Sequence, residues 1–242
     1  MTKIAICTPT YGRPDVASVS LAYHQAASRL FRHPDFVMID HRYFTGCDLV
    51  RARSRAARMT LETDCTHLLF WDDDVEPKDI GVLRGMVELD KDVVAIPYPR
   101  KRLDWDKVAA GVRDEAEQEK EGRQDGGELE FLGLDWPHRL NGEKDGVLLG
   151  ASHVGMGFTL IKRGTLESLA TQLGDAYGLT FYDCLDGKRI PTVAMFQLLI
   201  RDGMLLSEDY SFCQRVTDIG GAIWVLPVPA KHIGAYAYGA ML

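Results

Sequence analysis

The sequence predicts an α/β fold with a mostly parallel central sheet and helices on both faces. Three observations lead there. Short apolar runs alternate with helix-like stretches over residues 1–100. The runs read as buried strands, and the stretches between them are long enough for crossover helices. Capping and turn residues punctuate the boundaries at the expected places.

The elements follow in order. "KIAIC" (3–7) reads as the first strand. "DVASVSLAYHQAASRLFR" (15–32) has helical composition, with Pro14 ahead of it. "FVMI" (36–39) is a second strand. Residues 48–62 predict a helix with Asp48 as N-cap. "HLLFW" (67–71) is a third strand, and residues 77–89 read as a helix opened by Pro77. "DVVAI" (92–96) is a fourth strand. Residues 105–145 form a charged, Gly-punctuated excursion. Order returns over 146–170 as strand, glycine turn, strand and helix. Ser207 caps a helix over "EDYSFCQRVTDI", which Gly220 and Gly221 stop. "AIWVLPVPAKHIG" closes as one or two short strands.

Composition narrows the function classes. One domain spanning 1–242 is expected, and no apolar run approaches the length of a membrane span. The N-terminus lacks the apolar stretch of a signal peptide, so a cytoplasmic location is expected. The five cysteines are scattered, with no CxxC pair, which favours reduced thiols. Residues 1–60 carry nine Lys and Arg against four Asp, a surplus of +5 in a chain of net charge −7. That excludes a globally basic nucleic-acid binder but leaves room for a locally basic face.

Sheets of this kind bind ligands beyond the carboxyl ends of their strands. "TPTYGRP" (8–14), "DDDVEP" (72–77) and "PYPRKRLDW" (97–105) are expected there. If strand alternation persists past Trp71, Asp72 and Asp74 share a side and Asp73 points away. Two such carboxylates suit Mg²⁺ or Mn²⁺ with phosphate completing the shell. An acidic turn before a helix remains the plainer alternative. Glu208 and Asp209 open a helix whose dipole and free N–H groups keep a carboxylate ionised, which suits a general base. They are also ordinary first-turn residues. His232 is a candidate metal ligand or a structural histidine.

Together these stretches resemble a family. "CTPTYGRP", "RARSRAARMTLETDCTHLLFWDDDVEP", "PYPRKRLDW", "GMGFTLIKR", "SEDYSFCQR" and "HIGAYAYG" occur in the order found in GT-A glycosyltransferases, closest to small phage-type and bacterial enzymes. The resemblance covers nearly the whole chain and is weakest over 105–145. It implies a single GT-A-like, Rossmann-like domain. Residues 1–104 would be the nucleotide-sugar-binding half and 146–242 the acceptor and catalytic half.

The resemblance also implies roles. The loop from Thr8 through Thr10 and Tyr11 to Arg13 would contact the base and ribose of a nucleotide-sugar. The donor would be a UDP-sugar, most commonly UDP-glucose. Asp72 and Asp74 match the Asp-x-Asp that holds Mn²⁺ or Mg²⁺ and the diphosphate, with Asp73 beside them among the donor contacts. His232 matches the histidine that completes the metal shell. Asp209, with Glu208, matches the base that activates the acceptor. Gly155 and Gly157 match the glycine turn near sugar and acceptor. One departure is Arg53-Ser54, where relatives often carry Arg-Asn.

Basic residues Arg51, Arg55 and Lys101 can neutralise phosphate. Arg51, Arg55 and Arg58 share one helix face, which also fits a solvated stripe. Tyr98, Trp105, Trp136, Tyr236 and Tyr238 can stack on rings or fill the core. The reading is a metal-dependent glycosyltransferase, a hexosyltransferase by resemblance, whose acceptor hydroxyl belongs to a hydroxymethylated pyrimidine in DNA, a glycan or a protein. No membrane partner is expected, and oligomeric state is not readable. Two other classes stay open. One is a non-catalytic nucleotide- or sugar-binding module. The other is a phosphatase using Asp72, since Asp72–Glu76 partly resembles the haloacid-dehalogenase motif.

Overall fold

The computed structural model describes residues 2–10, 36–45, 48–101, 105–106, 136–176, 178–185, 187–233 and 237–238. The helix expected over 15–32 lies outside them, as do Tyr11, Arg13, Tyr236 and residues 107–135 of the charged excursion.

An eight-stranded mixed sheet forms the centre. Strand β1 (Thr2–Thr10) pairs in parallel with β2 (Phe36–Thr45) and with β3 (His67–Trp71). β8 (Phe158–Lys162) runs antiparallel between β3 and β5 (Val93–Ala95). β13 (Ile223–Val225) lies parallel to β5. The hairpin of β6 (Arg139–Asp145) and β7 (Leu148–His153) closes the far edge. The order is β2-β1-β3-β8-β5-β13-β7-β6. β8 and β7 run against the remaining six strands, so the sheet is mostly parallel in direction, as the sequence predicts.

Strand alternation sorts the core onto two faces. Ala5, Cys7, Leu68 and Phe70 pack with Ala56 and Ala57 of helix α1 (Leu49–Leu61), Leu166 and Leu169 of α3 (Arg163–Thr171), and Phe212 and Val216 of α4 (Glu208–Asp218). Ile4, Ile6, Leu69 and Trp71 pack on the other face with Leu83 and Met86 of α2 (Val82–Glu88). Among the described residues, no helix is long and apolar enough to cross a membrane.

Local signals set most boundaries. The Asp48 side chain accepts from the Arg51 N–H at 3.0 Å and caps α1. The Ser207 hydroxyl accepts from the Tyr210 N–H at 3.3 Å and caps α4. Gly220 follows α4 in the left-handed conformation, with φ 82°.

Three expectations need correction. Pro77 does not open a helix. It ends a short strand, β4 (Val75–Pro77), and α2 starts five residues later at Val82. β4 exists because β14 (Ala230–Ile233) pairs with it, and β15 (Ala237–Tyr238) pairs with β14. A proline without an N–H fits that strand end as well as a first helical turn. Second, the excursion does not reach 145, because residues 139–145 form the exposed edge strand β6. Third, residues 180–205 hold two hairpins not anticipated above. They are β9 (Thr180–Leu185) with β10 (Lys188–Val193), and β11 (Ile200–Arg201) with β12 (Met204–Leu205). The β11–β12 turn is Asp202-Gly203, with φ 51° and 75°. Asp-Gly in a two-residue loop is a strong hairpin signal and was present in the sequence.

Candidate functional site

The site lies beyond the carboxyl ends of β3 and β5, where side chains from both halves of the sequence meet. Its centre is Arg53, which the sequence marks only beside Ser54 at the departure from the family pattern and to which it assigns no role. Arg53 projects from α1 and is 2% exposed. Its guanidinium rests 5.1 Å from the centre of the Phe70 ring. Nη1 and Nη2 donate in parallel to Oδ1 and Oδ2 of Asp72, each at 3.2 Å. Nε faces Asp209 Oδ1 at 3.3 Å and Glu208 Oε1 at 4.0 Å. Burial works against the charge on Arg53, but Asp72, Asp209 and Glu208 more than offset it and hold the guanidinium protonated.

Among the described residues, Asp209 is the carboxyl pushed furthest from its ordinary range. Its Oδ2 accepts from the Met156 N–H at 3.1 Å. Its Oδ1 and the Nε of Arg53 face each other without hydrogen-bond alignment, and both are buried with no other hydrogen-bond partner among the described residues. Burial pushes the Asp209 pKa up to about 7, against the pull of Arg53, with Glu208 and Asp72 adding to the rise. The helix dipole and free N–H groups at the start of α4 favour an ionised carboxylate here. Burial beside two other carboxylates outweighs the dipole.

Asp72 and Asp74 do not share a side. β3 ends at Trp71, and the Val75 N–H donates back to the Asp72 carbonyl across a turn. That turn breaks the alternation. Asp72 faces Arg53, whereas Asp74 faces Lys101 and His232. The Lys101 ammonium is bonded to Asp74 Oδ2, and His232 Nε2 lies 3.4 Å from Asp74 Oδ1. Burial disfavours the Asp74 charge, but the contacts with His232 and Lys101 prevail and lower its pKa. Asp73 is nearly buried, at 9% exposure.

The pairing of β14 with β4 brings His232 to Asp74. His232 stands opposite Val75, and the Ile233 N–H donates to the Asp74 carbonyl at 2.7 Å. His232 Nδ1 lies 2.8 Å from the Pro99 carbonyl, which can only accept, so Nδ1 carries a proton. That leaves Nε2 as the ring atom facing the Asp74 carboxylate. The Tyr98 ring packs edge-on against His232, with centroids 5.2 Å apart.

Gly155 and Gly157 have a packing reason of their own. A Cβ on Gly155 would lie 2.3 Å from the Tyr98 hydroxyl oxygen. One on Gly157 would lie 2.7 Å from the Tyr98 ring and 2.8 Å from Val75. The turn also shapes the site through its backbone. The Gly157 N–H donates to the Tyr98 hydroxyl oxygen, and the Gly157 carbonyl accepts from the Asp72 N–H. Gly157→Ala is expected to cost about 1–3 kcal/mol by overpacking, measured by chemical denaturation.

Several expected donor contacts are placed elsewhere. Thr8 is completely buried within β1, which runs on to Thr10. Arg51 and Arg55 do not point toward the site. Arg55 makes a two-point bond to Asp183 in β9, with Nε at 2.5 Å and Nη2 at 2.6 Å, and Arg51 Nε lies 3.9 Å from the same carboxylate. Asp183 is 1% exposed. The Arg55 hydrogen bond holds its pKa below the usual carboxylate range. A depressed folded pKa stabilises above the unfolded value and is lost as pH falls through the folded one. Arg55→Met is therefore expected to lower stability by about 2–3 kcal/mol at pH 7, with the deficit shrinking in acid, as urea denaturation would show. Arg58 pairs with Glu62 at 2.5 Å. Ser54, at the departure from the family pattern, is buried and accepts from the Phe196 N–H at 3.4 Å. Trp105 is 70% exposed. Trp136 tilts against His138, with centroids 5.8 Å apart.

Comparison with known proteins adds the fold. No family model matches the chain, and no curated protein matches it. Among solved structures, A197 from STIV aligns at TM-score 0.50 and 18% identity, over 97% of this chain and 86% of that one. Mannose-1-phosphate geranyltransferase from Thermus thermophilus aligns at TM-score 0.38 and 12% identity, over 72% of this chain and 61% of that one. The first likeness shows that this chain shares its α/β fold with A197 from STIV.

Proposed function

We propose that the chain is a metal-dependent glycosyltransferase, moving a sugar from a nucleotide-sugar, a UDP-sugar by resemblance, to an acceptor hydroxyl. The observation that carries this reading is the Asp74–His232 pair. Asp74 Oδ1 and His232 Nε2 face each other at 3.4 Å, with the imidazole fixed by Pro99. A carboxylate and an imidazole nitrogen so placed can share a proton or a cation between them. A carbonyl bonded to the far ring nitrogen is the usual outer support of a metal-bound histidine.

Among the described residues, no group of three or more His, Cys, Asp and Glu is close enough to hold a metal ion. Asp72 is drawn away by Arg53, so the expected set of Asp72, Asp74 and His232 reduces to Asp74 and His232. Two protein ligands suit a metal whose remaining positions go to phosphate and water. Imidazole among oxygens favours Mn²⁺ over Mg²⁺. When bound, such a cation neutralises charge developing on the departing diphosphate. Lys101, already on Asp74, adds positive charge beside it. Asp209 takes the proton of the acceptor hydroxyl as the new bond forms, and its pKa near 7 matches that task.

The phosphatase reading needs Asp72 as a nucleophile, and both its oxygens are engaged by Arg53. The DNA acceptor rests on the family resemblance, with the basic surplus of residues 1–60 as a candidate phosphate contact. Arg55 is now committed to Asp183, and Arg53 to Asp72. The test is a mass-spectrometric screen of nucleotide-sugars with Mn²⁺ against hydroxymethylated DNA, glycans and a protein acceptor. Glycosylated product abolished by EDTA is expected. Donor binding without product across the screen would point to the binding module. Phosphate release from small phosphoesters would point to the phosphatase.

A further inference from the structure

We propose that Arg53 is a positioning residue of this site, anchored by Asp72 so that it holds the Asp209 carboxylate in place for proton transfer. The assignment rests on the glycosyltransfer reading and divides the two outer aspartates between two tasks. Asp74 faces the metal position. Asp72 serves Arg53.

The geometry is that of a planar fork filled on two edges. Nη1 and Nη2 take both oxygens of Asp72, and Nε is left to face Asp209 at 3.3 Å. The Phe70 ring lies against the guanidinium at 5.1 Å and restrains its rotation. The three charged groups come from α1, the turn after β3, and the first turn of α4. Arg53 thus ties the aspartate turn to the helix that carries the candidate base. A lysine ammonium is a point charge and cannot serve two carboxylates in one plane. Arg53 Nε and Asp209 Oδ1 are both buried and face each other, which restrains that edge of the carboxylate, while Oδ2 accepts from the Met156 N–H. The groups facing Asp209 are Arg53 from α1, Asp72 after β3, Tyr98 after β5, and Glu208 and Cys213 on its own helix.

Three variants test this: Arg53→Lys, Asp72→Asn and the double substitution. Circular dichroism first establishes that each is folded. If Arg53→Lys does not fold, Asp72→Asn carries the kinetic and metal arms alone. Each single variant is expected to lower kcat about 10²-fold, the scale of a small misplacement of a reacting group. Donor KM should stay within about twofold, and the double variant should be no slower than the worse single one. Mn²⁺ binding to Asp72→Asn, measured by calorimetry without substrate, should match the wild type. Weakening by about tenfold or more would make Asp72 a metal ligand and overturn the division of tasks. Unchanged kcat in Arg53→Lys, or additive losses in the double variant, would overturn the positioning role. A final arm needs no turnover. Carbon-13 NMR of the aspartate carboxyls, assigned with Asp209→Asn, should show the Asp209 midpoint displaced in Arg53→Lys. An unmoved midpoint sinks the proposal. A wild type with no transferase activity sinks the function and leaves the NMR and metal arms to decide on Arg53.

Discussion

Asp209→Asn is expected to lower kcat about 10³-fold while leaving donor affinity within about twofold of the wild type. Asparagine has nearly the same shape and can still accept from the Met156 N–H, but it cannot take a proton. The pH dependence carries the same signature. A general base works deprotonated, and burial has pushed this carboxyl up to about 7. The wild-type kcat/KM should therefore rise with pH through about 7 and level off above it. It should be lost toward acid, where Asp209 is protonated. A second readout needs no substrate. A carboxyl whose folded pKa exceeds its unfolded value costs stability as pH rises between the two. Asp209→Asn should then melt higher than the wild type at pH 8, with the gain fading toward pH 4. A variant with normal transfer, or a flat pH profile in the wild type, would remove Asp209 from the chemistry.

Asp74→Asn is expected to lower turnover roughly 10³-fold, the scale seen when one preorganised stabiliser of developing charge is removed. The carboxamide keeps the shape and removes the charge that a divalent cation needs. Its Mn²⁺ titration should shift to much higher concentration. His232→Ala should move the same titration at least about tenfold, since even outer-shell partners of metal ligands have effects of that size. Both are measured with donor fixed and Mn²⁺ varied. An unchanged titration in His232→Ala would return this histidine to a structural role against Tyr98 and Pro99. An unaffected rate in Asp74→Asn would refute the metal assignment altogether.

Local signals were legible in the sequence, and distant partners were not. "HLLFW" matches β3 residue for residue. Asp48 and Ser207 set the starts of α1 and α4 because a capping hydroxyl or carboxylate acts on N–H groups within the same turn. β4 was missed because nothing local makes it a strand. Its ladder comes from β14, more than a hundred residues away in the chain. The site divided along the same line. Asp74 and His232 were singled out and face each other, and Asp209, also singled out, faces Arg53. Arg53 was not, although the sequence contained the clue. Positions 53, 56, 57 and 60 recur at helical spacing and form the buried face of α1. A charged residue on such a face is rarely buried unless it is paired. The equivalence of Asp72 and Asp74 failed for a different reason. It assumed an extended strand past Trp71, and a turn begins there instead.

The ladder between β4 and β14 does more than hold two short strands together. Side chains on a strand point to opposite faces with a period of two, so the pairing register decides which face receives each one. In the observed register His232 lies opposite Val75, and the Ile233 amide is spent on the Asp74 carbonyl. A slip of one residue would present Lys231 or Ile233 to Asp74 and turn the imidazole to the far side. The composition of the pair would be unchanged, but the two ligands would no longer meet. The backbone hydrogen bonds of this small sheet thus work as a ruler. They measure the imidazole into place, and a one-residue insertion or deletion that touches no charged residue can disable the site by shifting the register.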